Sequence, residues 1–164
     1  MIRFILVASF VIGFLLFFSG VLYRLKKLGQ TDWETAEWKS LNIVRRAFSV
    51  ILKVAGVKVT VKGAEHIPAD TPALYVGNHR SYFDILVGYT TVPGLTGFVA
   101  KKEMEKIPLL RSWMKNVNCL FLDRKDIKAG LKTILEGIEK VKNGISVWIF
   151  PEGTRNRNKD LKEL

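Results

Sequence analysis

Residues 4–23 form a run of 20 positions without a charge. As one helix the run would be about 30 Å long, close to the hydrocarbon thickness of a bilayer. Arg3 precedes it, and Arg24, Lys26 and Lys27 follow. A small domain cannot cover every side of so apolar a helix, and the run is too long for the apolar part of a secretory signal. A membrane-anchoring segment is therefore expected. If it crosses a bilayer, the basic residues after it favour a cytoplasmic C-terminal side. After Gly29 the pattern changes. Thr31 or Asp32 can cap a helix, with Glu34 and Glu37 in its first turns. Across residues 33–54, Trp38, Leu41, Val44, Phe48, Ile51 and Leu52 recur at spacings of 3, 3, 4, 3 and 1, a helical and amphipathic pattern. Such a face can pack on the protein's own core, or its Trp, Arg and Lys edge can settle among lipid headgroups. Residues 1–55 thus read as an anchoring helical hairpin, and residues 56–164 as a separate domain.

From residue 57 the pattern alternates between strand and helix. Residues 57–63 alternate Val with Lys and Thr and predict a strand. Short apolar strands are predicted over 73–77, 97–100, 119–122 and 145–150. Helices are predicted over 81–89, over 102–117 with an interruption near Pro108, and from the Asp126 cap to Asn143-Gly144. The last carries Ile127, Leu131, Ile134, Leu135, Ile138 and Val141 on one face. The expected fold class is α/β: a mixed, largely parallel sheet flanked by helices, with the N-terminal hydrophobic two-helix membrane anchor in front. Several strands end directly in polar groups: Asn78-His79, Lys101, Asp123-Arg124 and 151–155. Open α/β sheets bind ligands outside the carboxyl ends of their strands, so reactive residues are stacked where such a sheet places a site.

A length of 164 residues suits one domain with a sizeable core. One Cys excludes an internal disulfide framework, and with two His it speaks against a structural metal cluster. The excess of 26 basic over 15 acidic residues gives +11, which draws the chain to an anionic partner without choosing among nucleic acid, membrane and a phosphorylated substrate. A nucleic-acid binder should interleave exposed aromatics with its basic residues. Trp148 and Phe150 lie instead in an unbroken apolar run, so no nucleic acid is expected.

His79 and Asp84 stand five positions apart across a predicted strand-to-helix turn. Histidine moves protons near neutral pH, and a carboxylate on its other ring nitrogen fixes the tautomer. Ser81 lacks a Gly-x-Ser-x-Gly setting, so the hydroxyl can come from the substrate. The pair can equally be a turn histidine and a first-turn aspartate. Lys101, Arg124 and Arg155 each follow an apolar strand, and three cations converging on one point would grip a phosphate. The plainer reading is unrelated surface charge. In the 150–155 turn, Gly153 lets backbone approach a ligand, and Glu152 can accept a hydrogen bond from a glycerol-like hydroxyl. His66 reads as surface, Cys119 as a buried thiol, and Arg157 and Lys159 as solvated charge in a polar tail. No nucleotide-binding glycine motif or metal-ligand spacing is present.

Four blocks then match a known family: Asn78-His79-Arg80-Ser81-Tyr82-Phe83-Asp84, Val99-Ala100-Lys101-Lys102-Glu103, Phe121-Leu122-Asp123-Arg124, and Phe150-Pro151-Glu152-Gly153-Thr154-Arg155-Asn156-Arg157. In this order the chain resembles the glycerolipid acyltransferases, most closely the bacterial 1-acyl-sn-glycerol-3-phosphate (lysophosphatidic acid) acyltransferases. The resemblance implies that His79, oriented by Asp84, activates the sn-2 hydroxyl of lysophosphatidic acid for attack on an acyl thioester, giving phosphatidic acid. It implies that Lys101, Arg124 and Arg155 hold the phosphate, and that Glu152, Gly153 and Thr154 shape the acceptor pocket. No cofactor is implied beyond the co-substrate, acyl carrier protein or coenzyme A carrying the acyl group. Backbone N–H groups after His79 or at the Gly153 turn are candidates to polarise the thioester. The implied partners are membrane lipid and an anionic phospholipid surface, and the implied location is the inner (cytoplasmic) membrane with the site facing the cytoplasm. Other acceptors, such as glycerol 3-phosphate or a lysophospholipid, fit the same blocks. A non-catalytic module binding anionic lipid would explain the charge and the apolar start, but not the order of the blocks. Family members continue past the fourth block, so the α/β part is expected to be C-terminally incomplete, with a sheet edge and apolar surface left open.

Overall fold

The structure, a computed structural model, describes residues 1–156. Its first part is helical. Helices α1 (Ile2–Phe17) and α2 (Ser19–Leu28) meet at a 51° bend. The continuous helix expected over residues 4–23 is therefore broken. Phe18 leaves helical geometry at φ −85°, ψ 8°, and the Ser19 hydroxyl donates to the Leu16 carbonyl at 2.8 Å, with Gly20 next in line. A Ser/Gly pair of this kind is a common cause of a kink. No single helix among the described residues is long and apolar enough to cross a membrane. Helix α3 (Trp33–Ala55) starts where the Asp32 carboxylate accepts the Thr35 N–H at 3.0 Å, and it ends at Gly56, left-handed at φ 73°. The Arg3 guanidinium lies against Gly56, where a Cβ would come within 2.5 Å of it, so α1 begins beside the end of α3 and the pair forms a hairpin.

This hairpin is not a loose appendage. Leu22 and Leu25 of α2 and Leu41 and Val44 of α3 share one buried cluster with Tyr89, Phe98 and Trp113 from the rest of the chain. The apolar stripe of α3 therefore faces the core, while Trp33 and Trp38 stay outside. On α1, by contrast, Ile2, Phe4, Ile5, Leu6, Ile12, Leu16 and Phe17 are all exposed.

The second part is an α/β layer. Strands β1 (Leu74–Val76), β2 (Thr96–Lys101), β3 (Leu120–Leu122) and β4 (Ser146–Ile149) form a sheet in the order β1-β4-β2-β3, with every neighbouring pair parallel. Residues 57–63 form no strand. Their alternation is real, but Val59 and Val61 are exposed and no segment among the described residues pairs with them, and an unpaired segment is not a strand. Helix α4 (Phe83–Thr91) joins β1 to β2 and covers one face. On that face Tyr75, Trp148 and Phe98 stand side by side across three strands. Gly88 lets α4 settle onto them, since a Cβ there would lie 2.6 Å from Phe98 Cζ. A 3-10 turn (Lys102–Lys106) and helix α5 (Pro108–Asn116) follow β2, the break falling at the proline as expected.

Helix α6 (Ile127–Lys142), capped by Asp126 on the Ala129 N–H, covers the other face. It does so with small residues: a Cβ on Gly137 would lie 3.2 Å from Leu120 Cδ1, and Thr133 donates to the Phe121 carbonyl. The apolar stripe read from its sequence points elsewhere. Ile127, Leu131, Ile134, Leu135 and Ile138 are exposed, as are Leu74 and Val76 on β1.

Candidate functional site

The parallel register puts the carboxyl ends of β1 and β4 side by side, and both lead into site residues. The Gly77 N–H donates to the Ile149 carbonyl at 3.2 Å, continuing the pairing past β1. Gly77 packs closely on Trp148, where a Cβ would lie 3.3 Å from Nε1. Open α/β sheets bind ligands outside the carboxyl ends of their strands, which is where these two segments lead.

His79 stands at that end of the sheet, just past β1. Its Nδ1 lies 3.0 Å from Asp84 Oδ2, with the two side chains 14% and 28% exposed. The same oxygen accepts the backbone N–H groups of Arg80 at 2.7 Å and Ser81 at 2.8 Å. Three donors converging on one carboxylate oxygen fix Asp84 at the start of α4, where the helix dipole also favours negative charge. An ionised carboxylate only accepts, so Nδ1 carries the hydrogen and Nε2 is left as the proton acceptor. The imidazole lies flat on Phe150, with ring centroids 4.3 Å apart at 16°. Its backbone is held from both sides: the His79 N–H donates to Glu152 Oε2 at 3.1 Å, and the His79 carbonyl accepts from Asn156 N at 2.7 Å.

The turn after β4 closes with Gly153 N–H on the Phe150 carbonyl at 2.9 Å. Gly153 is left-handed at φ 65°, and the Arg124 guanidinium rests where its side chain would be: a Cβ would come within 2.6 Å of Nη1. Arg155 lies over the Tyr82 ring, 3.9 Å from its centroid. The fold thus brings His79, Asp84, Glu152, Gly153, Arg124 and Arg155 to one end of the sheet. Thr154 is exposed beside them. Lys101 ends β2 at the same edge, in register with Leu122, and is exposed. By strand alternation its side chain leaves on the α6 face, opposite Phe98. Arg157 and Lys159 lie outside the described residues.

One expectation changes. The N–H groups of Arg80 and Ser81 and that of Gly153 are already taken, by Asp84 and Phe150, and do not point to a substrate carbonyl. Glu152 takes an additional part, anchoring the His79 backbone through Oε2. Three residues were missed in part: Phe150 under the imidazole, Tyr82 under Arg155, and the main chain of Asn156. The signal for Phe150 was present, because it opens the fourth block, but its place in an apolar run marked it only as core. His66 is a surface residue and Cys119 is buried, both as expected. Burial pushes the Cys119 thiol up from its ordinary value, so it is no nucleophile.

A histidine–aspartate pair and two guanidinium groups with no carboxylate partner among the described residues gather at the carboxyl edge of a parallel sheet, a set able to accept a proton beside an anionic group. The family model for Acyltransferase matches residues 58–164, and the chain belongs to this family. Among curated relatives, a 1-acyl-sn-glycerol-3-phosphate acyltransferase of Borreliella burgdorferi is 30% identical over 75% of this chain and 49% of its own length. A protein of the same name from Saccharomyces cerevisiae is 36% identical over 79% of this chain and 42% of its own. The crystal structure of the 1-acyl-sn-glycerophosphate (LPA) acyltransferase PlsC from Thermotoga maritima superimposes with a TM-score of 0.74 at 29% identity, covering 94% of this chain and 63% of that one. The chain therefore spans about half the length of the curated relatives it matches.

Proposed function

We propose that this chain carries the catalytic site of a lysophosphatidic acid acyltransferase, which moves a fatty acyl group from a thioester to the sn-2 hydroxyl and gives phosphatidic acid. The observation that carries the reading is the His79–Asp84 pair at 3.0 Å, its Nε2 without a hydrogen-bond partner among the described residues, near Arg155 on the turn after β4 and Arg124, which reaches that turn from the end of β3. His79 Nε2 takes the hydroxyl proton as the oxygen attacks the thioester carbonyl. Asp84 holds the imidazolium that forms. Collapse of the tetrahedral intermediate breaks the C–S bond, and the proton on His79 passes to the departing sulfur. The acceptor is itself the nucleophile, so no acyl-enzyme is needed. Arg124 and Arg155 hold the phosphate, Lys101 adds positive charge at the rim, and Gly153 and Thr154 border the acceptor. Acyl carrier protein or coenzyme A carries the acyl group. The exposed side of α1 rests in the membrane, with Arg24, Lys26 and Lys27 keeping the site on the cytoplasmic side of the inner membrane.

The test is thioester cleavage by the protein in detergent–phospholipid micelles, with and without lysophosphatidic acid. Release of thiol is expected to require the acceptor and to match phosphatidic acid formed, one for one. Thiol release at the same rate without acceptor would mean a hydrolase, and would overturn the proposal.

A further inference from the structure

The proposed grip on phosphate needs Arg155 in place, and the structure shows what holds it. Tyr82 is the residue just before α4, in the same turn that carries Asp84, and it is 64% exposed. Arg155 sits 3.9 Å above its ring centroid, a stacking distance. Among the described residues Arg155 has no carboxylate partner: the nearest acid in sequence, Glu152, directs Oε2 to the His79 N–H instead. A guanidinium has two kinds of surface. Its face stacks on a ring, and its edge carries the N–H donors that match phosphate oxygens. Stacking uses the face and leaves the edge free, whereas a salt bridge would consume the edge.

Resting on the reading above, we infer that Tyr82 is a positioning residue for the acceptor phosphate: its ring fixes the plane of Arg155 and keeps the donor edge available to phosphate oxygens at the carboxyl end of the sheet. The placement has a second consequence. Asp84, which orients the base, and Tyr82, which orients the phosphate ligand, lie two residues apart at one helix start. The distance between the attacking hydroxyl and the phosphate of the bound acceptor is therefore set by one rigid turn. An acceptor without a phosphate gains nothing from Tyr82.

Tyr82→Leu removes the ring while keeping an apolar side chain at an exposed position, and Tyr82→Phe keeps the ring. With lysophosphatidic acid in mixed micelles, Tyr82→Leu is expected to raise KM about 2- to 30-fold, the range of a cation–ring contact, with kcat nearly unchanged. Tyr82→Phe should match the wild type, and turnover of a monoacylglycerol should be equal in all three. Equilibrium binding of lysophosphatidic acid to the same proteins gives the same comparison without turnover. An unchanged KM and Kd in Tyr82→Leu, a Tyr82→Phe as impaired as Tyr82→Leu, or a loss confined to kcat would each overturn the inference. Arg155→Ala separates the two levels: if it leaves KM unchanged, the phosphate assignment itself fails, and if it raises KM while Tyr82→Leu does not, only the role of Tyr82 fails.

Discussion

Among the described residues His79 is held at every group except Nε2, the proposed proton acceptor. Nδ1 is held by Asp84, the ring face by Phe150, the backbone N–H by Glu152 and the carbonyl by Asn156. A base so fixed loses little entropy on reaching the transition state. Asp84→Asn tests the arrangement at this scale. The amide can still accept from the Arg80 and Ser81 N–H groups, so the helix start survives, but its oxygen carries no charge to fix the tautomer or stabilise the imidazolium. The expected result is a fall in kcat of about 10³- to 10⁴-fold with an unchanged far-ultraviolet circular dichroism spectrum. A loss under tenfold would mean that Asp84 is only a cap. At this scale the sequence was informative about identity and poor about contact. His79, Asp84, Arg124, Glu152 and Arg155 were all singled out. That Glu152 would face backbone, and that Phe150 would lie under the imidazole, depends on pairing between β1 and β4, 73 positions apart where Leu74 meets Val147, and no local spacing encodes that pairing.

Among the elements, α4 matters most, because its start sets both ends of the proposed site. Its far end is tied to the helical hairpin. Arg45 of α3 donates to the carbonyls of Tyr89 at 2.8 Å, Val92 at 2.7 Å and Gly94 at 3.1 Å. Burial lowers the Arg45 guanidinium from its ordinary value. A guanidinium keeps its charge in proteins, so these are charge-assisted bonds to a helix C-terminus. Arg45→Ala should cost about 2–3 kcal/mol in denaturant unfolding, by stranding carbonyls that the charge had satisfied. A change below 0.5 kcal/mol, about the size of a neutral surface substitution, would show that α4 is held by apolar packing alone. Caps and periodicity made α3 and α6 readable, since Asp32 and Asp126 both bond as their positions implied. One expectation failed for want of a partner: the 57–63 segment has strand chemistry but pairs with no strand among the described residues. The apolar stripe of α6 lies on one face as read, and small residues on another face let the helix approach β3.

The whole molecule joins an apolar N-terminal hairpin to a parallel sheet through a single core, so the site is carried at a fixed position relative to the exposed side of α1. A lipid acceptor needs such an arrangement, because its hydroxyl never leaves the interface. In the proposed setting at a bilayer surface, a net charge of +11 would add attraction to anionic lipid, about 1 kcal/mol for each Lys or Arg near the surface. The α/β class, the parallel sheet and the gathering of reactive residues at its carboxyl edge could be read from the order of apolar runs. The bend at Phe18 has only the Ser19-Gly20 pair as its sign in the sequence, and the unbroken absence of charge hides it.

The account stands or falls on His79 as the base. The decisive measurement is turnover of an acyl thioester with lysophosphatidic acid by the wild-type protein and by His79→Ala, with the phosphatidic acid quantified and the fold of both checked by circular dichroism. The expected result is a wild type that forms phosphatidic acid and a folded variant slower by about 10²- to 10⁴-fold. A folded His79→Ala that turns over within a few fold of the wild type would contradict it.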